Sequence, residues 1–101
     1  AASLSSANAR LNQPALAVRE FVVRRQGGLT APEAPLERWL QRNPNEGVVL
    51  HALAEHRLSQ GRMKDALELY RRLLDRQPRD AVALNNAAWA SATRGDADAL
   101  A

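Results

Sequence analysis

Hydrophobic positions in the middle of the chain recur at helical intervals. Leu50, Leu53, Ala54 and Leu58 lie three or four residues apart, and Ala66, Leu69, Tyr70, Leu73 and Leu74 resume the pattern after the polar break Gln60-Gly61-Arg62. Apolar residues at that spacing make one stripe along a helix. Two helices are therefore predicted, with glycine supplying the left-handed exit between them and Pro78 ending the second. Ala54 and Ala66 are small enough for the two stripes to cross closely.

The same punctuation returns at a fixed distance. Gly27, Gly61 and Gly95 are 34 residues apart, as are Pro44 and Pro78. A constant interval of this size is the signature of a repeated helix pair that stacks on its neighbours. Downstream, Leu84, Ala87, Ala88 and Gly95 fall in the slots of the middle repeat. Upstream, Leu16 falls under Leu50, Gln26-Gly27 under Gln60-Gly61, Leu36 under Tyr70 and Leu40 under Leu74. There Arg19 and Glu20 take the slots of Leu53 and Ala54, and Pro32 takes that of Ala66. A second phasing reads Ala17-x3-Phe21 as the second-helix signature, with Asn12-Gln13 as the turn. The constant interval is preferred because it keeps first and second helices alternating.

The pattern predicts an all-α chain with helices over 2–11, 14–26, 33–43, 47–59, 63–76 and 81–94 and a stub from 97. It divides into the remnant of a preceding helix over 1–12, a degenerate repeat over 13–46, a full repeat over 47–80 and a truncated one over 81–101. The expected core is Leu50, Leu53, Ala54, Ala66, Leu69, Tyr70, Leu73, Leu74, Leu84 and Ala88, with Trp39 joining it in the slot of Leu73.

These residues resemble the tetratricopeptide repeat, in which a bulky residue, Leu and a small residue precede Ala-x3-aromatic and a closing Pro. Leu50, Leu53, Ala54, Ala66-x3-Tyr70 and Pro78 fill those slots, and Arg57 departs from the usual aromatic. The resemblance implies an αα-hairpin solenoid, a right-handed superhelix whose first helices line a concave groove. The run from Ala34 to Ala90 is also similar to the C-terminal part of long bacterial tetratricopeptide proteins associated with exosortase systems and exopolysaccharide export. That similarity implies an extracytoplasmic, lipid-anchored parent.

Composition narrows the function classes. The 46% hydrophobic content is mostly Ala and Leu with few aromatics, which favours packed helices over sheets. No run approaches the length of a membrane span, and the first dozen residues lack the basic start and apolar core of a signal peptide. Absence of cysteine removes disulfides, thiol catalysis and cysteine metal sites. The net charge of +3 comes largely from arginines interspersed with acids, as in Arg71-Arg72 beside Glu68 and Asp75. Such alternation makes a solvated face rather than a nucleic-acid stripe; Arg24-Arg25 near Phe21 is a local basic cluster beside an aromatic.

Catalytic chemistry finds no constellation. His51 and His56, five apart, diverge around a helix instead of aligning as a metal-binding pair, so both are expected as surface histidines. Glu55, one turn after His51, is placed to hydrogen-bond it. No phosphate-cradling loop or nucleophile elbow is present, so neither an enzyme nor a cofactor is expected.

What the resemblance implies instead is a recognition groove. Its slots bring His51 and Glu55 from the middle repeat, Asn85, Asn86 and Trp89 from the third, and Phe21 and Arg24 from the first. An asparagine amide such as that of Asn86 can pair with a peptide unit as both donor and acceptor. The grooves of the middle and third repeats lack the Lys and Arg that would grip a carboxylate tail. The leading expectation is a non-catalytic scaffold holding a peptide or partner protein. The alternative is a structural segment that self-associates through Leu84, Ala87 and Ala88, left uncovered in the truncated repeat.

Overall fold

The computed structural model describes residues 13–100, with side chains from Gln13 to Arg94. The helix expected over 2–11 lies outside the described residues. Those described form five α-helices and no strand: α1 Gln13–Gln26, α2 Ala34–Arg42, α3 Gly47–Ser59, α4 Met63–Arg76 and α5 Ala81–Leu100. The chain divides into two compact units that meet in sequence between Val49 and Leu50.

In the first unit α1 packs on α2. Phe21, Pro35, Leu36, Leu40 and Val49 are its buried side chains. Gly28, with φ at +69°, makes the exit from α1, and the Leu29 amide reaches back to the Arg24 carbonyl at 3.0 Å. That closure satisfies carbonyls the helix end leaves open. The 34-residue ruler had pointed to Gly27; the left-handed residue is the next one, because the helix runs one residue further before turning. Pro35 sits in the first turn of α2, where a missing amide proton costs nothing. Burial on α1 does not follow the register, since Leu16, aligned with the fully buried Leu50, is 51% exposed.

The second unit holds α4, α5 and α3 from Leu50 onward. Gly61, with φ at +76°, ends α3, and the Arg62 amide reaches the Arg57 carbonyl at 2.9 Å. Leu50, Ala54, Ala66 and Tyr70 have no exposed surface, and Leu53, Leu67, Leu69 and Leu73 are buried with them. The apolar stripes on either side of Gly61 are thus the core of this unit. Full burial of a leucine-sized side chain contributes about 1.5–3 kcal/mol. Leu74 is only half-buried.

Three expectations are corrected here. Helix α5 continues through Gly95 to Leu100, with no exit and no separate stub. Glycine inside a helix costs about 1 kcal/mol relative to alanine, and Asp96-Ala97-Asp98-Ala99 offers no apolar stripe that would draw the chain back into a hairpin. Leu84 and Ala88 are exposed, and α5 buries Ala83 and Ala90 instead, a face rotated around the helix. His56 is buried rather than on the surface.

Candidate interaction surface

The surface is built on α5, so what fixes that helix comes first. Asp80 is its N-cap: the Asp80 carbonyl accepts the Leu84 amide at 2.9 Å and its Oδ1 accepts the Ala83 amide at 3.0 Å. A side-chain oxygen there satisfies one of the amides that a helix start leaves unpaired. The other carboxylate oxygen lies 2.7 Å from His51 Nε2. An ionised carboxylate only accepts, so that ring nitrogen carries the proton. The Ala83 amide, followed by the His51 ring, holds the Asp80 carboxyl below the usual aspartate range.

A second polar anchor lies one and a half turns further on. Asn86 Nδ2 donates to the Tyr70 hydroxyl at 3.0 Å, and the Tyr70 ring meets the edge of His51 with centroids 6.2 Å apart. Burial pushes the Tyr70 phenol above its ordinary pKa; the hydrogen bond from Asn86 acts in the opposite sense, and the charges of Glu55 and Asp80 add to the rise. A buried phenol needs such a partner. His51 therefore pairs with Asp80, not with Glu55, because the N-cap carboxylate is held at a fixed position beside it.

The expected groove residues separate into two sets. Trp89 is 54% exposed, Asn85 and Glu55 are exposed, and Val82 on the same edge of α5 as Trp89 is 53% exposed. His51 and Asn86 are half-buried and bonded within the fold. In the first unit Phe21 is 3% exposed, so it is a core residue rather than a contact, with the Arg25 guanidinium 4.8 Å from its ring centre. Arg24 is paired with Glu20 at 3.1 Å.

Other candidate chemistry is sparse among the described residues. A cleft of about 500 Å³ between α1 and α2 is lined by Leu16, Glu20, Pro35, Arg38, Trp39 and Arg42 among others. Trp39 is half-buried there, and its indole Nε1 is shielded from solvent with no hydrogen-bond partner among the described residues. No group of three His, Asp or Glu side chains gathers to hold a metal among the described residues, and no described helix is long and apolar enough to cross a membrane.

Asp80 was missed as a functional position in the sequence, although the signal was present: an Asp directly before the apolar run Ala81-Val82-Ala83-Leu84 marks a helix start. Compared with family models, curated proteins and solved structures, the chain has no match.

Proposed function

We propose that this chain is a non-catalytic interaction segment of tetratricopeptide type, holding an extended peptide or a partner protein against the exposed edge of α5. The observation that carries this reading is Trp89: a large aromatic, 54% exposed, on a helix whose orientation two hydrogen-bonded anchors fix. Aromatic side chains presented this way are the commonest anchors of protein interfaces. Asn85 and Val82 flank Trp89 on that edge, and Glu55 adds an acidic group from α3. His51 and Asn86 act as positioning residues, since their polar atoms are used within the fold. The 34-residue interval and the Ala66-x3-Tyr70 signature support the repeat assignment.

Selection from a displayed peptide library on the immobilised chain tests the proposal. Peptides bound at the proposed edge should lose at least about tenfold in affinity with Trp89→Ala and somewhat less with Asn85→Ala, while the melting curve stays unchanged. Peptides that bind the wild type and Trp89→Ala equally well would remove the edge from consideration.

A further inference from the structure

Two side chains of the first unit depart from the burial that their slots predict, and both line one cleft. Leu16, 34 residues before the fully buried Leu50, is 51% exposed, and Trp39, 34 before the buried Leu73, is only half-buried. Each lines the cleft of about 500 Å³ between α1 and α2. That volume lies within the range of sites that hold small organic ligands. The cleft belongs to the first unit and Trp89 to the second, so this site and the edge of α5 can fail separately.

The lining decides what chemistry fits. Pro35 and Trp39, four apart on α2, and Leu16 on α1 supply its apolar wall. Trp39 adds carbon to that wall, because its indole Nε1 is shielded and its carbonyl already accepts the Asn43 amide at 2.9 Å. Two flat rings and a leucine suit a planar apolar body, which stacks on rings and has little conformational freedom to lose. Arg38 and Arg42, also four apart, bring two cations to the same cleft. Arg38 is engaged: it lies 3.8 Å from Glu20, a carboxylate that Arg24 holds at 3.1 Å. Arg42 has no ion-pair partner among the described residues. A guanidinium offers parallel N–H donors that match the two oxygens of a carboxylate. Glu20, the acid on this lining, opposes a second negative charge on whatever binds.

We propose that the α1–α2 cleft binds an aromatic monocarboxylate, with the ring body against Trp39, Pro35 and Leu16 and the carboxylate on Arg42.

The probe is naphthoate, with naphthamide as its uncharged counterpart, titrated into the isotope-labelled full chain at low salt and followed by NMR through the indole N–H signals. The Trp39 signal is the one missing from Trp39→Phe. It should move saturably with naphthoate, at a Kd of about 1 mM or below, while the Trp89 signal stays in place. Naphthamide should bind about fivefold more weakly. Arg42→Gln should weaken naphthoate by the same factor and leave naphthamide unaffected; Arg42→Lys, which keeps the charge but not the fork, should fall between. Leu16→Ser should weaken both probes alike. Arg42 and Leu16 are exposed, so these variants should keep the wild-type melt, which circular dichroism checks. Naphthoate that binds no better than naphthamide, or is indifferent to Arg42→Gln, would overturn the proposal. So would a Trp39 signal that does not saturate, or one that moves only in step with Trp89.

Discussion

The hairpins α1–α2 and α3–α4 end in the same way and begin their second helices differently. After α2 the Asn43 amide bonds the Trp39 carbonyl at 2.9 Å with Asn43 at φ −134°, ψ 70°. After α4 the Gln77 amide bonds the Leu73 carbonyl at 2.8 Å with Gln77 at φ −131°, ψ 73°. Each is followed by a proline, and the Glu46 and Asp80 amides then bond the Asn43 and Gln77 carbonyls. Between the helices the two hairpins part. Three residues, 60–62, join α3 to α4, whereas seven, 27–33, join α1 to α2, and α2 has 9 residues against 14 in α4. Pro32 and Pro35 account for this: a proline disfavours helical backbone in the residue before it, so the chain stays out of helix at Ala31, where φ is 49°, and Pro35 can stand only in the first turn. The lesson is that a repeat interval fixes where chains turn, while the residues between turns decide how much helix forms.

The comparison breaks most visibly at Ala66 and Pro32, which share a slot. Ala66→Arg should unfold the second hairpin, at a cost above about 3 kcal/mol, because a fully buried position cannot take that volume or charge. Pro32→Arg, at a half-buried loop residue, should change the melt little. Thermal circular dichroism of the two variants decides it, and similar melts would mean that the slots are equivalent after all.

The helix exits should behave alike once the one-residue offset is allowed for. Gly28→Ala and Gly61→Ala each force alanine to positive φ and should each cost about 1 kcal/mol or slightly more in urea titrations. Gly27→Ala, where no positive φ is required and the nearest atom to an added Cβ is 3.4 Å away, should cost distinctly less. If Gly27 were the more sensitive of the pair, the two exits would share the 34-residue spacing and not the 33 observed.

Tyr70→Phe tests the anchor of α5, leaving the Asn86 amide without its partner. A loss of about 0.5–1.5 kcal/mol is expected by chemical denaturation. Asn86→Leu in the Tyr70→Phe background should recover part of it.

The smallest effect is electrostatic. Because the folded-state pKa of Asp80 is lowered, its contribution to stability is complete above the ordinary aspartate range and disappears as pH falls through the folded value. Asp80→Asn keeps an acceptor for the Ala83 amide but cannot ionise. Its melting temperature should lie a few degrees below that of wild type near neutrality and converge with it in acid, as paired melts at a series of pH values would reveal.

The helices were readable because apolar spacing and turn residues act locally. The range 47–59 and 63–76 for α3 and α4 follows directly from the Leu and Ala stripes around Gly61. Which face of α5 is covered was not readable from those rules. Leu84 and Ala88 occupy the slots of the buried Leu50 and Ala54 and are nevertheless exposed, whereas Ala83 and Ala90 are buried. Phe21 was assigned to a groove by a register that α1 does not keep in its burial. Of the expected groove residues, Trp89 and Asn85 are exposed. The engagement of Asn86 with Tyr70 and of His51 with Asp80 joins residues 16 and 29 apart, pairings that no local periodicity encodes.

Those two engagements also limit how α5 can turn about its own axis. Asp80 holds the first turn and Asn86 the second, each to a side chain on a different helix, α3 and α4. Rotating α5 by one residue would break both bonds at once. The azimuth of Trp89 is thereby chosen when the chain folds, not when a ligand arrives. An incoming partner meets side chains whose backbone is already immobilised, so less conformational entropy is lost on association than at a mobile loop, and more of each contact appears as affinity.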